Sequence, residues 1–176
     1  GRVVKQDSLY ISDSIADGTF FRNSAFVQAL HHVKHFGSAV HVLGLLSNHN
    51  SAHSSPEHLY ALLDLFEREG IKNVYLHLFT DGRDSGAGDA EVHLRKLRKF
   101  THGNEKIASI MGRLYGMDRN RHWDRVKFAF DTVAYGKAPW AASTPEGALK
   151  QAYARGETDE FIAPTVILEN GQPVAT

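Results

Sequence analysis

Two carboxylates, a glycine and a guanidinium stand together in Asp81-Gly82-Arg83-Asp84. The planar guanidinium forks onto carboxylate or phosphate oxygens in two-point contacts. A carboxylate beside it can orient a hydroxyl or move its proton. Two further groups have the same character: His49 and His53 before this quartet, and Arg113 and Arg119, with Asp118, after it. Taken one at a time such residues mean little, because an Arg next to an Asp in a loop is usually a surface ion pair worth about 0–1 kcal/mol. They become a site only if the fold brings the groups to one place. Three arginines, an imidazole and a carboxylate in one crevice would suit a small ligand with at least two acidic groups, such as a phosphorylated hydroxy acid. Neither G-x-G-x-x-G nor a Gly-Lys-Ser/Thr phosphate loop is present, so a dinucleotide or nucleoside triphosphate is not indicated.

The elements around these residues point to such a convergence. The run Val74 to Phe79 (strand 73–79) stops at an Asp-Gly turn and reads as a buried strand. Strands are likewise expected over Ser38–Leu46, Lys106–Met111 and Pro164–Leu168. Asp7 caps a short helix (8–16) closed by Gly18. Asn23 caps a second, in which Phe26, Val27, Leu30 and Val33 recur at helical spacing up to Gly37. Ser55-Pro56-Glu57 opens a third, with Leu59, Leu62, Leu63 and Phe66 as its apolar stripe up to Gly70. A basic amphipathic helix follows at about 89–101, with apolar Val92, Leu94, Leu97 and Phe100. Another carries Trp123, Val126, Phe130 and Val133 to Gly136, and Thr144-Pro145-Glu146 starts the last, through Tyr153. Asn170-Gly171 is a turn signal with nothing expected to pair after it. Strands alternating with helices mean βαβ units. The fold class is therefore α/β, a three-layer domain with a mostly parallel central sheet and helices on both faces, read as a single domain over 1–176. Right-handed crossovers then set the three strand-to-helix loops, with all the residues above, on one edge of the sheet.

Composition narrows the partners. Lys plus Arg and Asp plus Glu are 20 each among 176 residues, without the basic excess of a nucleic-acid binder. No apolar run approaches the roughly 20 residues that span a bilayer. There is no cysteine, which suits a reducing compartment and a cytoplasmic location. Gly1-Arg2 does not look like a natural start, so an excised piece of a longer chain is expected. Of the eleven histidines, His31 and His35 have chelating i, i+4 spacing, but no H-E-x-x-H pattern or second ligand cluster accompanies them. They read as a solvated helix face, and no metal ligands are assigned.

At these residues the sequence resembles the 2,3-bisphosphoglycerate-independent phosphoglycerate mutases. The matching segments are Gly1-Arg2-Val3-Val4 with Gln6-Asp7, Gly18-Thr19-Phe20-Phe21, Leu43-Gly44-Leu45-Leu46-Ser47, Asp81-Gly82-Arg83-Asp84 and Gly112-Arg113-Leu114-Tyr115-Gly116-Met117-Asp118-Arg119. They continue through Arg121-His122-Trp123-Asp124-Arg125 and Tyr153-Ala154-Arg155-Gly156-Glu157-Thr158-Asp159-Glu160-Phe161 to Pro164-Thr165-Val166-Ile167, in order from end to end. The resemblance implies the inserted substrate-binding (phosphotransferase) domain only. The partner phosphatase domain of the same parent chain, with its two manganese ions and transiently phosphorylated serine, would lie outside this chain. It further implies an isomerase acting on 3-phosphoglycerate and 2-phosphoglycerate in glycolysis and gluconeogenesis. Arg83 and Asp84 would contact the glycerate, Asp84 as the catalytic group, Arg113 and Arg119 would bind its acidic groups, and His53 would be the substrate histidine. The fragment alone is expected to be inactive, with no cofactor on this chain.

One segment departs from the family pattern. Where the family has Asp-Gly-Gly-Val-His-Ser after Leu-Leu-Ser, this chain has Asn48-His49-Asn50-Ser51-Ala52-His53-Ser54, one residue longer and without glycine. His49 therefore competes with His53 for the substrate-histidine role, and Ser54 after His53 favours the latter. The alternative function is a stand-alone anion-binding module without catalysis.

Overall fold

A computed structural model describes residues 4–175, so Gly1-Arg2-Val3 and Thr176 lie outside the described residues. The chain runs α1 (Asp7–Ala16), α2 (Ser24–Phe36), β1 (Val40–Leu46), α3 (Pro56–Arg68), β2 (Val74–Thr80), α4 (Ala90–Leu97) and β3 (Glu105–Gly112). It continues through α5 (Arg113–Gly116), α6 (Trp123–Tyr135), β4 (Trp140–Ala142), α7 (Pro145–Ala154), β5 (Thr165–Glu169) and β6 (Gln172–Pro173). Helix ends follow the expected chemistry. The Asn23 side chain accepts from the Ala25 N–H at the start of α2, and Thr144 accepts from Gly147 at the start of α7. Left-handed Gly37 and Gly136 close α2 and α6. At α1 the expectation is corrected: Asp7 is the first helical residue, and Gln6 takes the cap position without a side-chain bond.

The sheet order is β1-β2-β3-β5-β4, with β6 paired to β5. β1–β2, β2–β3 and β4–β5 are parallel; β3–β5 and β5–β6 are antiparallel. This is the expected three-layer α/β arrangement. On one face Leu30, Leu63, Phe66, Leu94, Leu97 and Leu149 from four helices form one core with Val74, Leu76, Leu78 and Ile110. On the other face lie α5 and α6, so closely that a Cβ on Gly116 would stand 2.6 Å from the Phe79 ring.

Three expectations about elements are corrected. β4, at Trp140–Ala142, was not expected. Gln172–Pro173 does pair after the Asn170-Gly171 turn, both of whose residues take positive φ (53° and 79°), as a two-residue hairpin turn requires. The basic helix ends at Leu97 and gives way to a 3-10 turn (Arg98–Phe100); its buried stripe is Ala90, His93, Leu94 and Leu97, while Val92 and Phe100 are exposed. In α6 Trp123 and Phe130 are also exposed, and the buried side chain is Thr132, whose hydroxyl donates to the Phe128 carbonyl. Among the described residues no helix is long and apolar enough to cross a membrane.

A polar thread crosses the sheet. His77 of β2 is completely buried, with Nδ1 2.8 Å from Ser109 Oγ on β3 and Nε2 3.0 Å from His41 Nδ1 on β1. Burial, helped by the neighbouring His41, pushes its pKa down to about 4. The folded protein therefore keeps His77 neutral where the unfolded chain, with an ordinary value near 6.5, takes up a proton. Between those values the unfolded state binds more protons, so stability falls as pH falls. Urea midpoints should record about 2 kcal/mol lost to this group between pH 7.5 and 5. His77→Leu should lose that part of the slope whatever its absolute stability; equal slopes would show that His77 is not the titrating group.

Candidate anion-binding site

The site is built on the buried end of β2. Asp81 is 1% exposed and accepts from four donors: the Ser47 hydroxyl after β1, Arg113 Nη1 after β3 at 2.5 Å, and the backbone N–H groups of Arg83 and Asp84 at 3.2 Å each. Burial alone would raise its pKa; these hydrogen bonds overcome that and hold it below the usual carboxylate range. One buried carboxylate thus ties together the loops that follow three neighbouring parallel strands.

Asp84 faces outward from the same turn. Arg113 Nη1 reaches its Oδ2 at 3.0 Å, and the Ser51 hydroxyl donates to the same oxygen at 2.9 Å. Both hydrogen bonds, Arg113 first, hold its pKa below the ordinary value. Ser51 Oγ also accepts the His53 N–H at 3.1 Å, which links the histidine loop to Asp84. Arg113 responds in the opposite sense: burial would lower its pKa, but its bonds to Asp81 and Asp84 raise it.

A fourth segment joins these loops because β5 runs antiparallel to β3 and so begins at the edge where β3 ends. Residues 158–162 cross there. Thr80 Oγ1 donates to the Asp159 carbonyl at 2.6 Å, and the Gly112 N–H donates to the Ile162 carbonyl at 2.7 Å. The Asp159 side chain is wholly buried and accepts from the Ala90 N–H at 2.8 Å and the Tyr153 hydroxyl at 2.6 Å. Burial raises the Asp159 pKa, and burial with the Asp159 contact raises that of Tyr153. This packing turns Glu160 toward the loops. It leaves no room for a side chain at Gly82, where φ is +68° and a Cβ would lie 2.5 Å from the Glu160 nitrogen.

The result is a polar cleft of about 200 Å³ lined by His53, Arg83, Asp84, Arg113, Asp118 and Arg119 among others. All five residues singled out from sequence (His53, Arg83, Asp84, Arg113 and Arg119) meet there. His49 does not: its ring points away, with Nδ1 3.1 Å from Glu57 Oε2. Arg125 and Glu160 also line the cleft and were not anticipated. Arg125 stands within the Arg121-to-Arg125 segment quoted above, but only the packing of α6 on α5 shows its direction. The ion pairs Arg83–Glu160 (3.7 Å) and Arg125–Asp118 (3.9 Å) are long, and Arg119 has no ion pair among the described residues. The first of these pairs is partly exposed and exchanges at little cost, whereas the Asp118 side chain is only 3% exposed and holds Arg125 near it. Arg83 and Arg119 are thus free to turn onto an incoming anion, while Arg113 stays tied to the scaffold through Nη1.

The family profile described as BPG-independent PGAM N-terminus matches residues 11–176. The 2,3-bisphosphoglycerate-independent phosphoglycerate mutase 2 of Methanosarcina barkeri (strain Fusaro / DSM 804) is 46% identical over 171 residues, covering 96% of this chain and 32% of that protein. The 2,3-bisphosphoglycerate-independent phosphoglycerate mutase of Thiobacillus denitrificans (strain ATCC 25259 / T1) is 45% identical over 177 residues, with 99% and 34% covered. The chain spans about a third of the length of these curated relatives. Among solved structures, Leishmania mexicana phosphoglycerate mutase at low cobalt concentration superposes with a TM-score of 0.87 at 24% identity, over 99% of this chain and 34% of that one, a likeness of fold.

Proposed function

The chain belongs to the 2,3-bisphosphoglycerate-independent phosphoglycerate mutase family, and from that premise we propose that residues 1–176 are the substrate-binding domain of a longer cytoplasmic isomerase that interconverts 3-phosphoglycerate and 2-phosphoglycerate. The observation that supports this reading is the meeting of His53, Arg83, Asp84, Arg113 and Arg119 in one cleft. A phosphoglycerate carries a carboxylate and a phosphate on a short carbon chain, and forked guanidinium groups suit both ends. Arg83 and Arg119 take the acidic groups, with Arg113 contributing its remaining N–H donors. His53 donates to a phosphate or hydroxyl oxygen. Asp84, held ionised, is a weak base and a good acceptor, so its part is to orient the glycerate hydroxyl that receives phosphate.

The phosphate passes to a serine of the partner domain, the glycerate turns within the cleft, and the phosphate returns to the other hydroxyl. Among the described residues no three His, Asp, Glu or Cys side chains converge to hold a metal ion. The residues present do not fit the manganese ions that the resemblance implies; we assign those ions to the remainder of the parent chain and route no step through them. Without that remainder this chain holds and orients substrate but does not convert it.

An NMR titration of the chain with 3-phosphoglycerate tests the reading, with sulfate at matched ionic strength as control. Saturable shifts in 47–54, 81–86 and 112–120, stronger than with sulfate, are expected. Arg119→Ala should weaken binding about tenfold, a loss of about 1.4 kcal/mol, without changing the melting temperature. Shifts no stronger than those with sulfate would remove the case for a phosphoglycerate site on this chain.

A further inference from the structure

A second cavity lies on the other side of the 47–55 loop, between α3 and α4 over the ends of β1 and β2. Its volume is about 570 Å³, and one side of it is apolar: Val42, Leu46, Leu62, Leu78 and Leu97, with Tyr60 stacked on Phe100 at 3.8 Å. That size lies in the range of small-molecule sites. Ser54 Oγ and His93 Nε2, on two of its lining residues, are sealed from solvent and lie behind the open surface, so a ligand's polar end has to be met at the rim.

The charges around the rim say which sign a ligand's polar end carries. Lys96 and Lys99 lie at its edge, one and two turns beyond His93, and neither makes an ion pair among the described residues. Arg98 of the same basic run is engaged elsewhere, donating twice to Glu146 at 2.7 and 3.0 Å. The acidic lining residue, Glu57, is already bonded to Ser55 and His49. Gly44, within β1, supplies part of the space: a Cβ built on it meets nothing within 4 Å. The basic end of α4 is thus at the rim of the cavity.

We infer that this cavity binds a small apolar carboxylate, an acyl or aryl acid, with its tail along Val42, Leu46, Leu62 and Leu97 and its carboxylate at the rim with Lys96 and Lys99. The site differs from the anion cleft in chemistry, since that cleft gathers Arg83, Arg113, Arg119 and Arg125, but the two share His53. A ligand seated against the 47–55 loop therefore bears on the segment that carries His53 into the cleft. The inference does not depend on the mutase reading, and 3-phosphoglycerate, which has no apolar tail, should not enter.

The test is a methyl-NMR titration of the 176-residue chain with octanoate, against 1-octanol (the tail without the charge) and acetate (the charge without the tail). Octanoate should shift the Leu46, Leu62, Leu78 and Leu97 methyls saturably, at least tenfold more tightly than octanol, and acetate should leave them unmoved. Gly44→Leu, which fills the cavity, should abolish the effect. Lys96→Glu with Lys99→Glu, exposed positions where folding is not at stake, should bring octanoate down to the affinity of octanol. Equal affinity for octanoate and octanol, undiminished binding in the Lys double variant, or octanoate shifts confined to residues 81–86 and 112–120 would each overturn the assignment.

Discussion

Asp81→Ala is expected to lower stability by about 3–5 kcal/mol, the cost of breaking a buried ion pair from one side. In a domain of this size that is a fall of about 10 °C in melting temperature. The reason is the number of groups the carboxylate satisfies at once. Without it the Ser47 hydroxyl, 4% exposed, loses its acceptor, as do the N–H groups of Arg83 and Asp84. Arg113, whose side chain is 10% exposed, keeps only Asp84. Asp81→Asn retains two-sided hydrogen bonding without the charge and should fall between parent and Asp81→Ala. Arg83→Ala, which removes only a 3.7 Å pair on an exposed side chain, should stay within about 1 kcal/mol of the parent. Thermal melts of the three variants decide the matter: a melting temperature for Asp81→Ala within 2 °C of the parent would mean that the loops are held together by something other than this carboxylate.

The same quartet shows what can be read in the sequence and what cannot. A β-rich run ending at Asp-Gly locates the end of a buried strand, and strands alternating with helices place three such ends side by side. That put the three loops on one edge of the sheet. Which of the two carboxylates turns inward is not written in the spacing, because Asp81 and Asp84 differ only in where a tight turn throws them. Nor does periodicity give the direction of β5, and that direction brings Glu160 and the 158–162 segment into the cleft. β4 is three residues long and β6 two, too short for any alternation to show.

Helix faces misled for a different reason. The positions Trp123, Val126, Phe130 and Val133 have helical spacing, yet α6 lies on the less covered face of the sheet, and its largest aromatics, Trp123 (71%) and Phe130 (56%), face solvent. In α4 a histidine occupies the buried stripe that a hydropathy reading gives to Val92. Hydropathy assigns the imidazole of His93 to the surface because it scores the residue type, not the cavity the residue borders.

Gly112→Ala should destabilise by about 3 kcal/mol, at the upper end for overpacking, and weaken phosphoglycerate binding along with it. Its backbone has φ −67°, which any residue adopts, so the effect is one of contact alone. An added Cβ would meet the Glu160 carbonyl oxygen, with the Glu160 carbonyl carbon at 2.6 Å and the Ile162 nitrogen at 2.8 Å. These are backbone atoms, which cannot swing aside as a side-chain tip does. The segment is held on both sides, by Gly112 and Thr80 across the strand ends and by Asp159 to Ala90 and Tyr153 behind it. Moving Glu160 therefore pulls on the start of α4, and the ion pair with Arg83 goes with it. Gly44→Ala is the matched control in β1, two strands away: its Cβ meets nothing within 4 Å, so it should melt within about 1 kcal/mol of the parent or slightly above it. If the two alanine variants melt together, the 158–162 segment is free to give way, and the cleft cannot owe its shape to that packing.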